Sequence, residues 1–200
     1  MSGMSAFVGL TGYEGCGKDT VASLLAREYG FERFALADRM RDALYHLDPL
    51  IYNDGLYALT LAELVDDAGW EGAKRHDEYG PMVRSLLQRF GTEVGRERFG
   101  EDFWVALLDQ ELEQVQTLRH ELTGDYANIV VTDVRFPNEA DWVRDMGGVV
   151  VRVTRPGHGP VNGHPSAAGL VEEDIELHND GNLSDLSETV HYFCQNILEL

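Results

Sequence analysis

The stretch that most constrains this chain is "FVGLTGYEGCGKDT", residues 7–20. An apolar run passes through a glycine-rich turn into a helical pattern. The backbone N–H groups of such a turn, joined to a helix N-terminus, form a seat for an anion. Gly12, Gly17 and Lys18 match the spacing of a phosphate-binding loop, with Gly15 and Cys16 inside it. A strand before the loop and a helix after it are the context such a loop requires.

One position departs from the pattern. Asp19 follows the lysine where a Mg²⁺-binding hydroxyl normally sits, and Thr20 comes one residue later. On a helix, that residue is about 100° further round. A carboxylate at position 19 repels a triphosphate unless it points away, touches a metal's water shell or serves only the helix start. The departure argues against a GTPase-like switch, in which the hydroxyl holds Mg²⁺ directly. It favours a small-molecule kinase that uses ATP and Mg²⁺.

Composition narrows the partners. Two hundred residues at 44% hydrophobic supply one sizeable core, so a single domain over 1–200 is expected. No apolar run approaches the roughly 18 residues of a membrane span. The opening "MSGMSAFVGL" lacks a basic region and a cleavage site, so no signal peptide is read. Cys16 and Cys194 form no disulfide framework, and a reducing cytoplasm is the expected setting. A net charge of -19 disfavours nucleic-acid and anionic-membrane partners. Of 16 basic residues only Lys18 and Lys74 are lysines. Arginine grips phosphate through paired N–H groups. An acidic protein that binds phosphates must therefore cluster its few arginines.

Along the chain, residues 6–12 read as a buried strand. A helix follows from Lys18 to a stop at Gly30. Residues 31–38 read as a second strand ending in Asp38, and the next helix ends before Asp48-Pro49. Thr60 and Glu63 form a capping box for a helix through Ala68. Residues 69–80 read as a mobile loop, and Pro81 opens the next helix. Within that stretch Leu86, Leu87, Phe90 and Val94 are assigned to the core. "GTEVGRERFGED" then interrupts the helix, before a long amphipathic helix from residue 102. Residues 127–133 form a strand, and "PNEADWVRDMGG" a short helix. "VVVRVTRP" is a strand, residues 156–169 a mobile loop, "IELHND" a fifth strand and "SDLSETVHYFCQNIL" the last helix. This alternation predicts an α/β domain with a parallel sheet.

Two further segments carry charge where open α/β folds bind ligands, at the carboxyl edge of the sheet. In "IVVTDVRFPNEA", Asp133 ends a buried strand and is placed to hold Mg²⁺, directly or through water. Arg135 and Glu139 follow, completing an arrangement suited to phosphoryl transfer. The plain alternative is a helix cap with a surface ion pair, above all for Glu139. Asp38 is expected on the same edge, with Arg41 gripping an acceptor phosphate. For a hydroxyl acceptor, Asp38 would serve as base.

"GKDT", "LLQRFGTEVGRERFGEDFWV", "VVTDVRFPNEA" and "HNDGNLSDL" together resemble the bacteriophage deoxynucleoside monophosphate kinases, from about residue 6 to the last helix. The resemblance implies a P-loop kinase: a three-layer α/β/α sandwich with a five-stranded, mainly parallel sheet and a helical acceptor-binding insertion at about 48–122. It implies ATP as donor, Mg²⁺ as cofactor and a deoxynucleoside monophosphate as substrate. It further implies an acceptor site of Arg84, Gln88, Glu93 and Trp104, with Asp133, Arg135 and Glu139. Trp104 by itself reads slightly more as a core aromatic than as a base-stacking platform. Asn179 and Gly181 would meet the donor base through backbone, and Asp19 and Asp133 would touch the metal through water. "HPSAAG" departs from the family pattern, which leaves His164 and Ser166 as ordinary loop residues. A kinase of another acceptor, such as dephospho-coenzyme A, and a non-catalytic ATP-binding regulator are the alternative readings. Oligomeric state is open, a dimer being the commonest assembly.

Overall fold

A computed structural model describes residues 5–159 and 171–200. The expectations for His164, Ser166 and most of the 156–169 loop lie outside the described residues. In chain order the elements are β1 (Phe7–Thr11), α1 (Lys18–Tyr29), β2 (Glu32–Phe34), α2 (Leu36–Leu47), β3 (Leu50–Asn53), β4 (Ala58–Thr60), α3 (Leu61–Arg75) and α4 (Gly80–Arg89). A π-helical segment (Phe90–Phe99) is followed by α5 (Phe103–Thr123), β5 (Ile129–Val131), α6 (Pro137–Asp145), β6 (Val149–Thr154), β7 (Ile175–His178) and α7 (Leu183–Asn196). Contacts divide the chain into two compact units: residues up to Leu36 with those from Leu108 onward, and Ala37–Leu107.

The first unit is built on a five-stranded sheet in the order β2-β5-β1-β6-β7, every neighbouring pair parallel. A parallel sheet is covered on both faces, so its strands are apolar throughout. All five residues of β1 and all three of β5 are accordingly buried. Alternate residues of β1 serve opposite layers. Val8 and Leu10 pack with Val21, Leu24 and Leu25 of α1 and with Leu186, Val190 and Phe193 of α7. Phe7 faces the other way and meets the α6 residue Trp142 edge-on, with ring centroids 5.4 Å apart. Beside it, α6 comes so close that a side chain at Gly9 would sit 2.8 Å from Val143. The α5 residues from Leu108 onward join that layer, and Trp142 Nε1 donates to Asp109 at 3.2 Å. The result is the three-layer α/β/α sandwich.

Cys16 and Cys194 are free and buried in this core. Burial pushes the Cys194 thiol up to about 12, which keeps it protonated and unreactive.

The second unit has its own core of Leu44, Ile51, Leu59, Leu61, Leu64, Ala73, Val83 and Leu87. Its β3–β4 hairpin is antiparallel and was not legible in the sequence. Asp54 makes the turn, its Oδ1 accepting from Leu56 N and Tyr57 N at 2.9 and 2.8 Å. The capping box of Thr60 and Glu63 forms as expected.

Four local expectations are corrected. Asp38 does not end a strand: β2 stops at Phe34, and Asp38 lies in the first turn of α2. Residues 69–80 are a loop only at 76–79. Gly69 kinks α3, and the helix resumes to Arg75, with Ala73 buried and Glu71 paired to Lys74. "GTEVGRERFGED" breaks the helix later than expected: the helix first widens into a π-helical segment to Phe99, with Gly95 against the Trp104 indole, and ends at Gly100. Val94 is exposed rather than core.

Leu25 is fully buried between sheet and α7. Leu25→Ala is expected to cost about 2–5 kcal/mol of folding stability. Urea denaturation measures this, and a loss below about 1 kcal/mol would contradict the packing described.

Candidate active site

The carboxyl edge of the sheet gathers residues far apart in sequence. β1 and β6 pair through Thr11 and Arg152, and β6 and β7 through Thr154 and His178. On the other side Val134 N donates to Leu10 O at 3.1 Å, which holds the segment after β5 beside the end of β1. The glycine loop, Asp133 and Asn179 therefore share one edge, where ligands bind in open α/β folds.

The loop is held at both ends. Gly12 has φ +135, and a side chain there would strike the Val153 carbonyl. Gly17 has φ +107, and a side chain there would strike the Asn179 amide. Both positions admit only glycine. Between them, Gly15 is exposed and a side chain on it would stand 2.8 Å from the His158 ring, while Cys16 is buried. Lys18 folds back over the loop. Its Nζ donates to Gly12 O at 2.8 Å and Tyr13 O at 2.9 Å, with Cys16 Sγ at 3.8 Å. Two of the three ammonium protons are thereby committed to the loop, fixing the charge in place. No side chain caps the start of α1. A fixed cation, a glycine turn and an uncapped helix start fit the phosphates of a nucleotide.

Asp19 points outward. Its side chain is 92% exposed, and Arg33 Nη2 lies 3.7 Å away. Such an exposed pair contributes little to stability. Thr20 is half-buried on α1.

Asp133 Oδ1 accepts from Leu36 N at 2.7 Å. This bond supplies a partner for the first N–H of α2 and explains why the helix starts there, ahead of Asp38. Arg135 is exposed just beyond. Glu139 is 4% exposed, and its Oε2 accepts from Arg135 N at 2.7 Å and Phe136 N at 3.0 Å. Its carboxylate thus shapes the turn that carries Arg135.

Asn179 is 6% exposed. Its backbone N donates to Thr154 O at 2.8 Å and its Nδ2 to Cys16 O at 2.9 Å. Gly181 backs onto the Asp185 carboxylate. Asp185 and Asn182 cap α7 reciprocally. The "HNDGNLSDL" motif is thus a capped helix start as well as the element that grips the glycine loop.

The remaining expected residues lie in the second unit. Asp38 Oδ1 accepts from Arg41 Nη1 at 2.9 Å, while Arg41 Nε is buried without a hydrogen-bond partner. Arg84 donates to Lys74 O, and Lys74 pairs with Glu71. The Lys74 ammonium, with Arg41 and Arg75 nearby, holds the Glu71 carboxyl below its usual range. Sequence reasoning missed Lys74 and Glu71 because residues 69–80 read as a loop. Arg84 and Gln88, four residues apart, are exposed on one face of α4. Glu93 accepts from Arg89 Nε through both oxygens at 3.1 Å. Trp104 is 7% exposed, packs on Gly95 and donates to Gly91 O at 2.9 Å. Its ring is a packed core aromatic here. Among the described residues, no group of three or more His, Cys, Asp or Glu side chains is placed to hold a metal ion. Mg²⁺ in phosphoryl transfer needs fewer, because phosphate oxygens and water supply most of its ligands. Among the described residues no helix is long and apolar enough to cross a membrane.

Glu139→Ala would leave two N–H groups of a tight turn without their acceptor. The expected cost is about 1–3 kcal/mol. Chemical denaturation checks it, and an unchanged midpoint would contradict the role.

The family model described as deoxynucleotide monophosphate kinase matches residues 71–190. A protein of Acanthamoeba polyphaga mimivirus is 29% identical over 89% of this chain and 90% of its own. The deoxynucleoside-5'-monophosphate kinase of Escherichia phage T5 is 28% identical over 98% of each. The deoxynucleotide monophosphate kinase of Escherichia phage RB69 is 34% identical over 52% of this chain and 41% of its own.

Proposed function

Because this chain belongs to the deoxynucleotide monophosphate kinase family, we propose that it transfers the terminal phosphoryl group of ATP to a deoxynucleoside 5'-monophosphate. The products are ADP and the deoxynucleoside diphosphate, a DNA precursor. The carrying observation is the fixed Lys18 ammonium above a glycine turn at the uncapped head of α1.

The two units take different tasks in this reading. Gly12, Gly15, Cys16, Gly17, Lys18, Asp19 and Thr20 receive the donor, with Asn179 and Gly181 beside them. Arg41, Arg84, Gln88 and Glu93 receive the acceptor, with Asp38 paired to Arg41 and Trp104 supporting the wall behind. Asp133, Arg135 and Glu139 complete the machinery from the carboxyl edge of the sheet.

The acceptor's chemistry explains why cations outnumber bases. A phosphate monoester is mostly ionised at neutral pH, its second pKa being about 6. Its oxygen attacks without prior proton removal, so Asp38 is required as base only for a hydroxyl acceptor. What remains is to align two anions and neutralise charge as it grows on the transferring group. Lys18 meets the outer donor phosphates, and Arg135 the transferring group. Mg²⁺, when bound, would supply further neutralisation on the donor phosphates; Asp133 is the carboxylate that would reach it through water, while Asp19, expected there as well, points outward. A host-cell cytoplasm fits the viral relatives.

The test is ADP formation by purified protein with ATP, Mg²⁺ and each of the four common deoxynucleoside monophosphates. Turnover with at least one is expected, and none with any would overturn the reading. Lys18→Ala and Arg135→Ala are each expected to lower kcat/KM by about 100-fold or more, the loss that follows removal of a charge contact to the transition state. Rates near wild type would remove those roles.

A further inference from the structure

We propose that Asn179 is a positioning residue for the donor phosphates, acting through the Cys16–Gly17 peptide. The proposal rests on the reading of the glycine loop as the donor site and assigns the Asn179 side chain a task there.

The Asn179 amide reaches across 163 residues of sequence to the Cys16 carbonyl, at 2.9 Å. It is itself anchored, since its backbone N donates to Thr154 O at 2.8 Å. That bond already uses the N–H otherwise available to a nucleotide base. Asn179 is also one of three buried polar or charged side chains among the described residues, with Thr11 and Glu139. Its burial makes the bond to Cys16 costly to lose.

Geometry gives that bond a consequence. In a trans peptide the C=O and N–H point in opposite directions. Holding the Cys16 carbonyl toward Asn179 therefore turns the Gly17 N–H away from it. Gly17 is the N-cap of α1, where an anion gains most from a donor N–H and from the helix dipole. Rotating this peptide would present a carbonyl oxygen to the phosphate in place of the N–H. Glycine at 17 makes that rotation sterically easy, because glycine visits both signs of φ. The Asn179 amide is the restraint that selects one orientation. Asparagine suits the task because its amide donates a hydrogen bond without adding charge. An aspartate would present oxygens to the carbonyl.

The test separates phosphate positioning from base contact and from general stability. Calorimetry would measure ADP and adenosine binding to wild type, Asn179→Asp and Asn179→Ser. Circular dichroism would confirm that each is folded. ADP affinity is expected to fall by about tenfold or more in Asn179→Asp, the order expected for a lost hydrogen bond to a buried group. Adenosine affinity is expected to stay within about twofold, because adenosine has no phosphate. Asn179→Ser keeps a short donor and is expected to fall between the two. In turnover, KM for ATP rises while KM for the deoxynucleotide holds. Equal ADP affinity in wild type and both variants would overturn the inference, as would equal losses of ADP and adenosine. Wild type that binds ADP but phosphorylates no deoxynucleotide would overturn the acceptor assignment and leave Asn179's role standing.

Discussion

Gly12 stands so close to the Val153 carbonyl that no other residue fits, and its φ of +135 is one that other residues rarely adopt. That contact fixes where the chain leaves β1. The turn to Gly17 must then close against the amide of Asn179. The loop is thus clamped between the end of β6 at one side and the segment after β7 at the other. The parallel sheet makes the clamp possible, because it brings the carboxyl ends of β1, β6 and β7 side by side. Core packing and glycine loop are in this sense one construction: Val8 and Leu10 hold the strand from which the loop departs.

Charge is managed by the same local economy. A chain of net charge -19 cannot draw anions by its overall field. In the proposed function, its attraction for phosphate has to come from backbone N–H groups and from a few fixed cations. Lys18 is immobilised by two loop carbonyls. In the second unit, Glu71 sits among Lys74, Arg75 and Arg41 and partly neutralises them. Carboxylates likewise hold backbone in place: Asp133 at Leu36, Glu139 beneath Arg135. The two acids expected at the reaction site are first of all fixtures of the local backbone.

The parallel sheet and its flanking helices were legible because buried strands read as apolar runs and glycine marks the ends of the helices. The glycine turn between β1 and α1 was legible because glycine and lysine recur there at set spacing. Other features were hidden for physical reasons. The start of α2 depends on a bond from Asp133, 97 residues away, so a local reading extended β2 through Asp38. The break expected from "GTEVGRERFGED" comes only at Gly100, because Gly95 accommodates an indole and the helix widens first. Gly69 kinks α3 without ending it, because Ala73 is buried in the second core. Asn179 was expected to meet the base through its backbone, and its side chain was given no task, since nothing in local sequence reveals a partner at Cys16.

The most direct measurement of the central claim is a crystal structure of the protein with ADP and Mg²⁺ bound. The account predicts the diphosphate within hydrogen-bond distance of the backbone N–H groups between Gly15 and Lys18, with the Cys16 carbonyl still on Asn179. A nucleotide bound elsewhere, or a loop that rearranges and releases Asn179 to admit it, would contradict the account.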